Sequence, residues 1–505
     1  MSRSGACVVL AASLIVGLAA PVSARQENVS SEARAGTSLR VLTPLGDDVF
    51  AVERLDGEEA LSRLFSFQLE ITVDRAIPFE TLLGKPVTIL LEQPGEGGRS
   101  FHGIVARIAQ ADAGRSSSSY VLDVVPELWL LTLEQRSRLF QGLSVPEIVD
   151  RVLREGGIAY ESRLEGDYPQ RDCVVQYRES DFAFVSRLLE EEGIYYFFEH
   201  APDGHRLVLG DSPASHSALA GRDGVPFRAG RQRGGGAITE WTKVQELRSG
   251  KVTLRDFDFH DPDLDLEVSA AIQESVVVGQ VGHRLRVDQN AGLEVYDYPG
   301  EYAQRFDEIA PSAPRLLAEG ERTVAIRAEE EAAAGLVVRG ASLHAHLTAG
   351  HRFTLVQHLD ADGEYVLTAV RHHAGRAQSD RGPIEYSNTF TCIPVGLPFR
   401  PQRTTPAPRI AGVQTAIVTG PSGEETHTDE LGRVKVQFHW DREGQRDEHS
   451  SCWIRVASPP AGHEVDPAAA PRIGQEVVVG FVEGDPDQPI ILGRVYNGAQ
   501  PPPVR

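Results

Sequence analysis

Residues 432–440 (GRVKVQFHW), 451–456 (SCWIRV) and 471–497 (PRIGQEVVVGFVEGDPDQPIILGRVYN) decide the fold class. Apolar and polar residues alternate through them with period two. Val434, Val436 and Phe438 face one way and Lys435, Gln437 and His439 the other, as in strands with one buried face. The run Gly484-Asp485-Pro486-Asp487-Gln488-Pro489 separates two more such stretches. Its Gly and Pro set backbone angles that a strand cannot use, so it reads as a tight connection. Several short strands in so short a segment predict a small closed β-barrel over residues 411–497.

Similar patterning extends toward the N-terminus. Leu39, Val41 and Leu42 precede a turn at 44–48, and Phe65, Phe67, Leu69 and Ile71 alternate with polar residues. With strands expected at 86–91, 100–108 and 120–125, residues 37–131 read as a first β-barrel. In the α+β insert that follows, 132–211, Ser144 and Glu147 have capping-box spacing, in which each side chain can satisfy a free amide at the helix start. Val145, Ile148, Val149, Val152 and Leu153 then share a face, and Gly156-Gly157 ends the helix. A second helix begins near Ser180 or Asp181, with Phe182, Val185, Leu188 and Leu189 as its apolar face and Glu190–Glu192 before Gly193. Such a face packs into a core, and no chemistry is assigned to it. A strand is expected at 194–198.

Residues 212–236, rich in Ser, Ala, Arg and Gly, read as a loop. A second barrel is expected over 237–397, with strands at 252–259, 340–347, 352–357 and 364–372 and a helix at 315–336. Pro398, Pro401, Pro406 and Pro408 make 398–410 a stiff linker. Residues 498–505 (GAQPPPVR) read as a disordered tail, because consecutive prolines cannot build a strand ladder.

A chain of 505 residues exceeds what one core usually holds, so several domains are expected. The formal charge of −22 argues against nucleic acid as a partner, since phosphate contacts need clustered Lys and Arg. Residues 1–24 have the form of a secretory signal peptide: Arg3, an apolar run at 8–20, and Val22-Ser23-Ala24 before Arg25. That run is shorter than the ~20 residues a membrane span needs. A buried segment or a misplaced start are the alternatives; because Met1 is the sole methionine, a later start would require a non-standard codon. Residues 25–36 read as a flexible leader. Cys173, Cys392 and Cys452 are an odd, widely spaced trio beyond the signal and make no disulfide framework. They suit a reducing compartment, in conflict with the signal-like N-terminus.

Catalytic signatures are missing from the sequence: there is no G-x-S-x-G, phosphate loop, HExxH or CxxC. Asp441 and Glu443, the kind of acidic pair a lysozyme would need, lie in a short charged connection. His344 and His346 are expected on one strand face, with His351, His372 and His373 close in sequence. A metal site there would need a carboxylate partner, and a polar strand face is the simpler reading. Residues 256–263 (DFDFHDPD) read as an edge strand and turn rather than a calcium loop. No catalytic, cofactor-binding or metal residue is predicted, and no cofactor.

The C-terminal motifs resemble the OB-like domain of the VgrG family, the spike of the type VI secretion apparatus, related to Rhs elements and to the tail spikes of contractile phages. The resemblance continues through Thr43-Pro44-Leu45-Gly46, Leu83-Gly84-Lys85-Pro86, Phe101-His102-Gly103-Ile104-Val105, Tyr177-Arg178-Glu179-Ser180-Asp181-Phe182 and 188–198, and spans about 37–497. It implies a mainly β fold with a few helices: two hub β-barrels plus a C-terminal OB-like β-barrel. It also implies a non-enzymatic homotrimer that seats on an Hcp-type tube, carries a PAAR-like tip or effector protein, and touches the target membrane only transiently. Assembly would be cytoplasmic, with export by the contractile apparatus. Family chains commonly continue into a β-helix needle, which residues 498–505 do not supply. Residues 457–470 also lack the family's tryptophan-rich wording, so another chain would complete the tip or the copy is degenerate. The alternatives are the hub of an extracellular injection particle or prophage baseplate, or a secreted OB-barrel protein binding a glycan or peptide.

Overall fold

A computed structural model describes residues 37–47, 49–93, 97–113, 117–219, 224–230, 236–303, 305, 312–376, 383–457 and 470–502. The expected signal and leader lie outside the described residues, as do 458–469 and 503–505. Strands dominate, with a few helices, as the alternating sequence predicts.

Alternation becomes burial in strand Ser66–Val73, where Phe67, Leu69 and Ile71 are buried and Ser66, Gln68 and Glu70 face solvent. From it an antiparallel sheet runs through Ser118–Val125, Gly97–Ala113 and Pro86–Gln93 to Ser38–Leu42. On its other side Ser66–Val73 pairs with Ala51–Ala60, and the sheet continues from there into the C-terminal half of the chain. Ala51–Ala60 pairs with the second half of Gly363–Arg376, from Ala60↔Ala369 to Arg54↔Gly375. The first half of Gly363–Arg376 pairs instead with Arg352–Val356. A register shift between Leu367 and Ala369 marks the changeover.

Gly363–Arg376 and its hairpin partner Ile384–Pro394 therefore belong to two barrels. The first ring returns on itself through the bridge Thr37↔Ile384. The second runs from Ile384–Pro394 through Leu336–Ser342 to Ile238–Gln245 and closes through Phe227↔Ile238 beside Val225–Pro226. Along the hairpin, Ala374, Ile384 and Tyr386 supply the first core, while Tyr365, Leu367, Phe390 and Cys392 supply the second.

Several expectations change accordingly. The stretches 37–131 and 237–397 do not form separate barrels, because strands of the later segment complete the earlier ring. The expected loop 212–236 contains strand Val225–Pro226, which pairs with Arg352–Val356. The strand expected at 252–259 is Lys251–Asp256; it lies in a separate sheet with Leu266–Ala271 and Glu294–Asp297 rather than in the barrel. The strand expected at 340–347 is Leu336–Ser342.

The insert is a wedge. Helix α1, Val145–Glu155, starts at the expected capping box, with the Ser144 amide donating to Glu147 Oε2 at 2.7 Å. Helix α2, Asp181–Glu191, is capped by Ser180 Oγ, which accepts from the Ala183 amide. Strand Tyr195–Ala201 alternates its contacts: the Phe198 ring meets Phe65 of the first barrel edge-on at 5.0 Å, and Phe197 packs with Val366 and Ile393 of the shared hairpin. Helix α3, Ala313–Gly335, covers strands Lys251–Asp256 and Leu266–Ala271. Residues 398–413 run without helix or strand into the last barrel, ordered Lys435–Phe438, Gln414–Thr419, Glu476–Phe481, Pro489–Val495 and Arg455–Val456. The bridge Val434↔Ile454 closes it around Val434, Val436, Phe438, Cys452 and Ile491. Among the described residues no helix is long and apolar enough to cross a membrane.

Both hub barrels place a phenylalanine ring over a glycine on the neighbouring strand. A Cβ added at Gly57 would stand 2.1 Å from the ring of its cross-strand partner Phe67, and one at Gly340 would stand 2.3 Å from Phe390. Gly57→Ala is expected to cost about 1–3 kcal/mol as the ring is displaced. Gly282→Ala, where the added atom meets nothing within 4 Å, should leave the denaturant midpoint unchanged.

Candidate functional site: buried charge at the joints

At the joint between the hub barrels, Glu59 of strand Ala51–Ala60 meets Arg99 of strand Gly97–Ala113 at 2.6 Å, both almost wholly buried. Arg99 Nη1 also donates to the Ala345 carbonyl at 2.6 Å and to that of Leu347. The Ala349 amide donates to Glu59 at 3.3 Å, and His372 Nε2 of the shared hairpin lies 3.2 Å from the same carboxylate. One ion pair thus ties together the first barrel, a loop of the second and the hairpin they share. Burial pushes the Glu59 carboxyl up, but Arg99 and His372 outweigh it and hold it far below its ordinary value. Burial also keeps the neighbouring His200 and His205 neutral, down to about 3 and about 4.

The histidines singled out by sequence do not converge. The strand ends at Ser342, whose Oγ accepts from the His344 amide at 2.9 Å, and His344 Nδ1 accepts from the His346 amide at 3.1 Å, which makes a turn. His351 packs edge-on against Phe197, His372 is buried on Glu59 and Tyr386, and His373 is exposed beside Asp56. Among the described residues no group of three or more His, Cys, Asp or Glu is placed to hold a metal ion. Asp256 ends its strand and accepts from the amides of Phe257, Tyr302 and Ala303, as a turn residue does.

A second centre lies where insert, α3, linker and last barrel meet. Helix α2 delivers Glu190–Glu192 there, and Gly193 ends it at φ +69°. Arg171 pairs with Glu191 at 2.7 Å and also with Glu192. Arg322 of α3 reaches Glu192 at 2.5 Å and Arg305 reaches it at 3.4 Å. Arg327 of α3 donates to the carbonyls of Glu190 and Glu191, where the α2 dipole is negative. Burial raises Glu191 and Glu192, but the arginines outweigh it and hold both well below the usual carboxylate range.

The linker is strapped to this centre. The amides of Thr404 and Thr405 each donate to Glu190 Oε2 at 2.9 Å, and Arg400 donates to the carbonyls of Gly193 and Asp211. From the last barrel, Asp487 Oδ1 accepts from the Val175 amide at 2.6 Å, and Gln414 Nε2 donates to the Tyr177 hydroxyl at 3.0 Å. Burial pushes the carboxyls of Asp485 and Asp487 up. Cys173 packs against the barrel core, and the guanidinium of Arg455 stacks on Phe259 at 4.5 Å. Beside this joint a cleft of about 840 Å³ separates Arg136 and Arg138 from Trp440. Those arginines are already engaged by Glu134, Glu155 and Asp181.

Charge here holds parts together. Residues 58–378 match the family model for the phage tail baseplate hub (GPD), and residues 415–496 match the type VI secretion system/phage-baseplate injector OB domain. The chain is 40% identical over 477 residues to the type VI secretion system spike protein VgrG1c of Pseudomonas aeruginosa, covering 92% of this chain and 62% of that protein. The same organism's VgrG1a is 39% identical over 477 residues, at 92% and 70% coverage.

The chain belongs to the VgrG spike-protein family. It spans 62% of the length of VgrG1c. A solved type VI secretion component from E. coli, the c3393 protein, shares the fold at a TM-score of 0.61 and 21% identity, over 91% of this chain and all of that one. VgrG is a family of structural spikes and hubs, and both joints fit that role.

Sequence reading placed Glu190–Glu192 at the end of an amphipathic helix and assigned them no role, so it missed the part they play. The available signal was three consecutive glutamates followed at once by Gly193 and the apolar run 194–198, with Arg187 one helical turn before Glu190–Glu192. Removing one side of a buried ion pair leaves the other charge without compensation. Arg171→Met should therefore lower the stability of this VgrG chain by about 3–5 kcal/mol in guanidinium unfolding. Adding Glu192→Gln to that variant should recover part of the loss.

Proposed function

We propose that this chain is a non-enzymatic, force-transmitting hub. Three copies form the base of a spike that seats on an Hcp-type tube and carries a PAAR-like tip or effector. Sheath contraction supplies the work, and the hub passes the push from tube to tip. It assembles in the cytoplasm and leaves the cell with the apparatus.

The observation that carries this reading is the interlocked barrel pair followed by a small closed barrel, in the order in which the two family models match. Two barrels per chain in three chains make six similar domains, which suits a sixfold tube. Buried ion networks at both joints suit a part that must not deform under load. An obligate trimer of this kind should bury more than ~2,000 Å² at each interface, apolar at the centre.

Sedimentation equilibrium of the purified chain at micromolar concentration tests the assembly and is expected to give three times the monomer mass. A stable monomer contradicts it. In cells, inactivating the sheath should remove the protein from the culture fluid, and unchanged export would overturn the proposed role.

A further inference from the structure

The small sheet outside the barrels ends in an open strand. Glu294–Asp297 pairs in parallel with Lys251–Asp256, from Lys251↔Glu294 to Leu254↔Asp297, and stands last in the order of that sheet. Among the described residues nothing pairs with its outer edge. Helix α3 covers the other two strands, and residues 292–298 are exposed without a break. Leu293, Val295, Tyr296 and Tyr298 are each 39–54% exposed along this run. A free edge presents backbone N–H and C=O groups to any extended chain, and natural edges are blunted by short length, charge, Pro, a bulge or a covering element. Glu294–Asp297 is short and guarded only by negative charge, from Glu294 and Asp297; it has no bulge, and the first proline is Pro299.

Charge selects the partner. Residues 251–301 carry eleven Asp and Glu against four Lys and Arg, and Asp297 is exposed on the edge strand itself. A second copy of this chain would bring the same excess and be repelled. A segment alternating basic and apolar residues would lay its apolar side chains beside Tyr296 and Tyr298 on one face and its cations beside Asp297 on the other, because side chains alternate along a strand. We infer that Glu294–Asp297 is a docking edge onto which a basic, extended segment of a partner protein adds as a further strand. The backbone supplies affinity and alternate side chains supply selectivity, as in other strand-addition complexes.

The test uses the full chain and two capped octapeptides of equal charge. One alternates Lys and Val; the other has Pro in place of each Val, so it keeps the charge but cannot complete a strand ladder. In roughly 0.15 M salt, where long-range attraction is screened, the Lys-Val peptide should bind about tenfold tighter, or about 1.4 kcal/mol. It should protect amides at 293–298 from hydrogen exchange. Tyr296→Thr, which keeps a strand-forming residue at an exposed position, should weaken that peptide while leaving the denaturant midpoint unchanged. Equal binding of the two peptides would reduce the effect to bulk charge and overturn the proposal. So would protection elsewhere, or self-association of the chain through this edge.

Discussion

One hairpin holds two barrels. Gly363–Arg376 and Ile384–Pro394 pair along eleven positions, one end completing the first ring and the other the second. Side chains in a strand alternate faces, so a slip of one residue would turn both cores inside out together. The register is therefore pinned from both ends. The changeover is itself tied down: Thr368 Oγ1 lies 2.7 Å from Thr391 Oγ1, and the Thr368 carbonyl accepts from the Leu61 amide at 2.9 Å. Neither barrel can rotate against the other without breaking a ladder that both need.

The rest of the chain is arranged around that constraint. Phe197 and Phe198, adjacent in one strand, lean on the shared hairpin and on the first barrel respectively. Gly350 lets the backbone pass so close to Phe197 that a Cβ there would stand 2.3 Å from the ring. The joints are then fastened with arginine, whose planar fork can serve several acceptors at once: Arg99 bridges a carboxylate and two carbonyls, and Arg171 bridges two carboxylates. At these joints buried arginines are matched by buried carboxylates, so the charge is paired inside the molecule. Opening such a joint part-way strands a buried charge, so partial separation is disfavoured more strongly than the net worth of the intact pair suggests.

Much of this was legible before any coordinates. Phe67, Leu69 and Ile71 announced their strand, Ser144 and Glu147 their cap, and Val434, Val436 and Phe438 the last barrel, because each uses a local periodicity. Ala51–Ala60 was not legible, since Gly57, Glu58 and Glu59 break the alternation. Glu59 is polar where a core residue is expected because Arg99, 40 residues away, neutralises it. The shared hairpin was equally hidden: Glu58 faces Arg371 across 313 residues of chain, and no local pattern reports such a pairing. His344 and His346 misled because a strand was carried past Ser342, where side-chain hydrogen bonds had already turned the backbone.

Hydrogen exchange across Gly363–Arg376 under native conditions tests the interlock most directly. If the two barrels are one mechanical unit, amides in the half paired with Ala51–Ala60 and in the half paired with Arg352–Val356 will exchange together, at the slowest rate in the chain. Separate rates for the two halves, with one barrel opening while the other stays protected, would contradict the account.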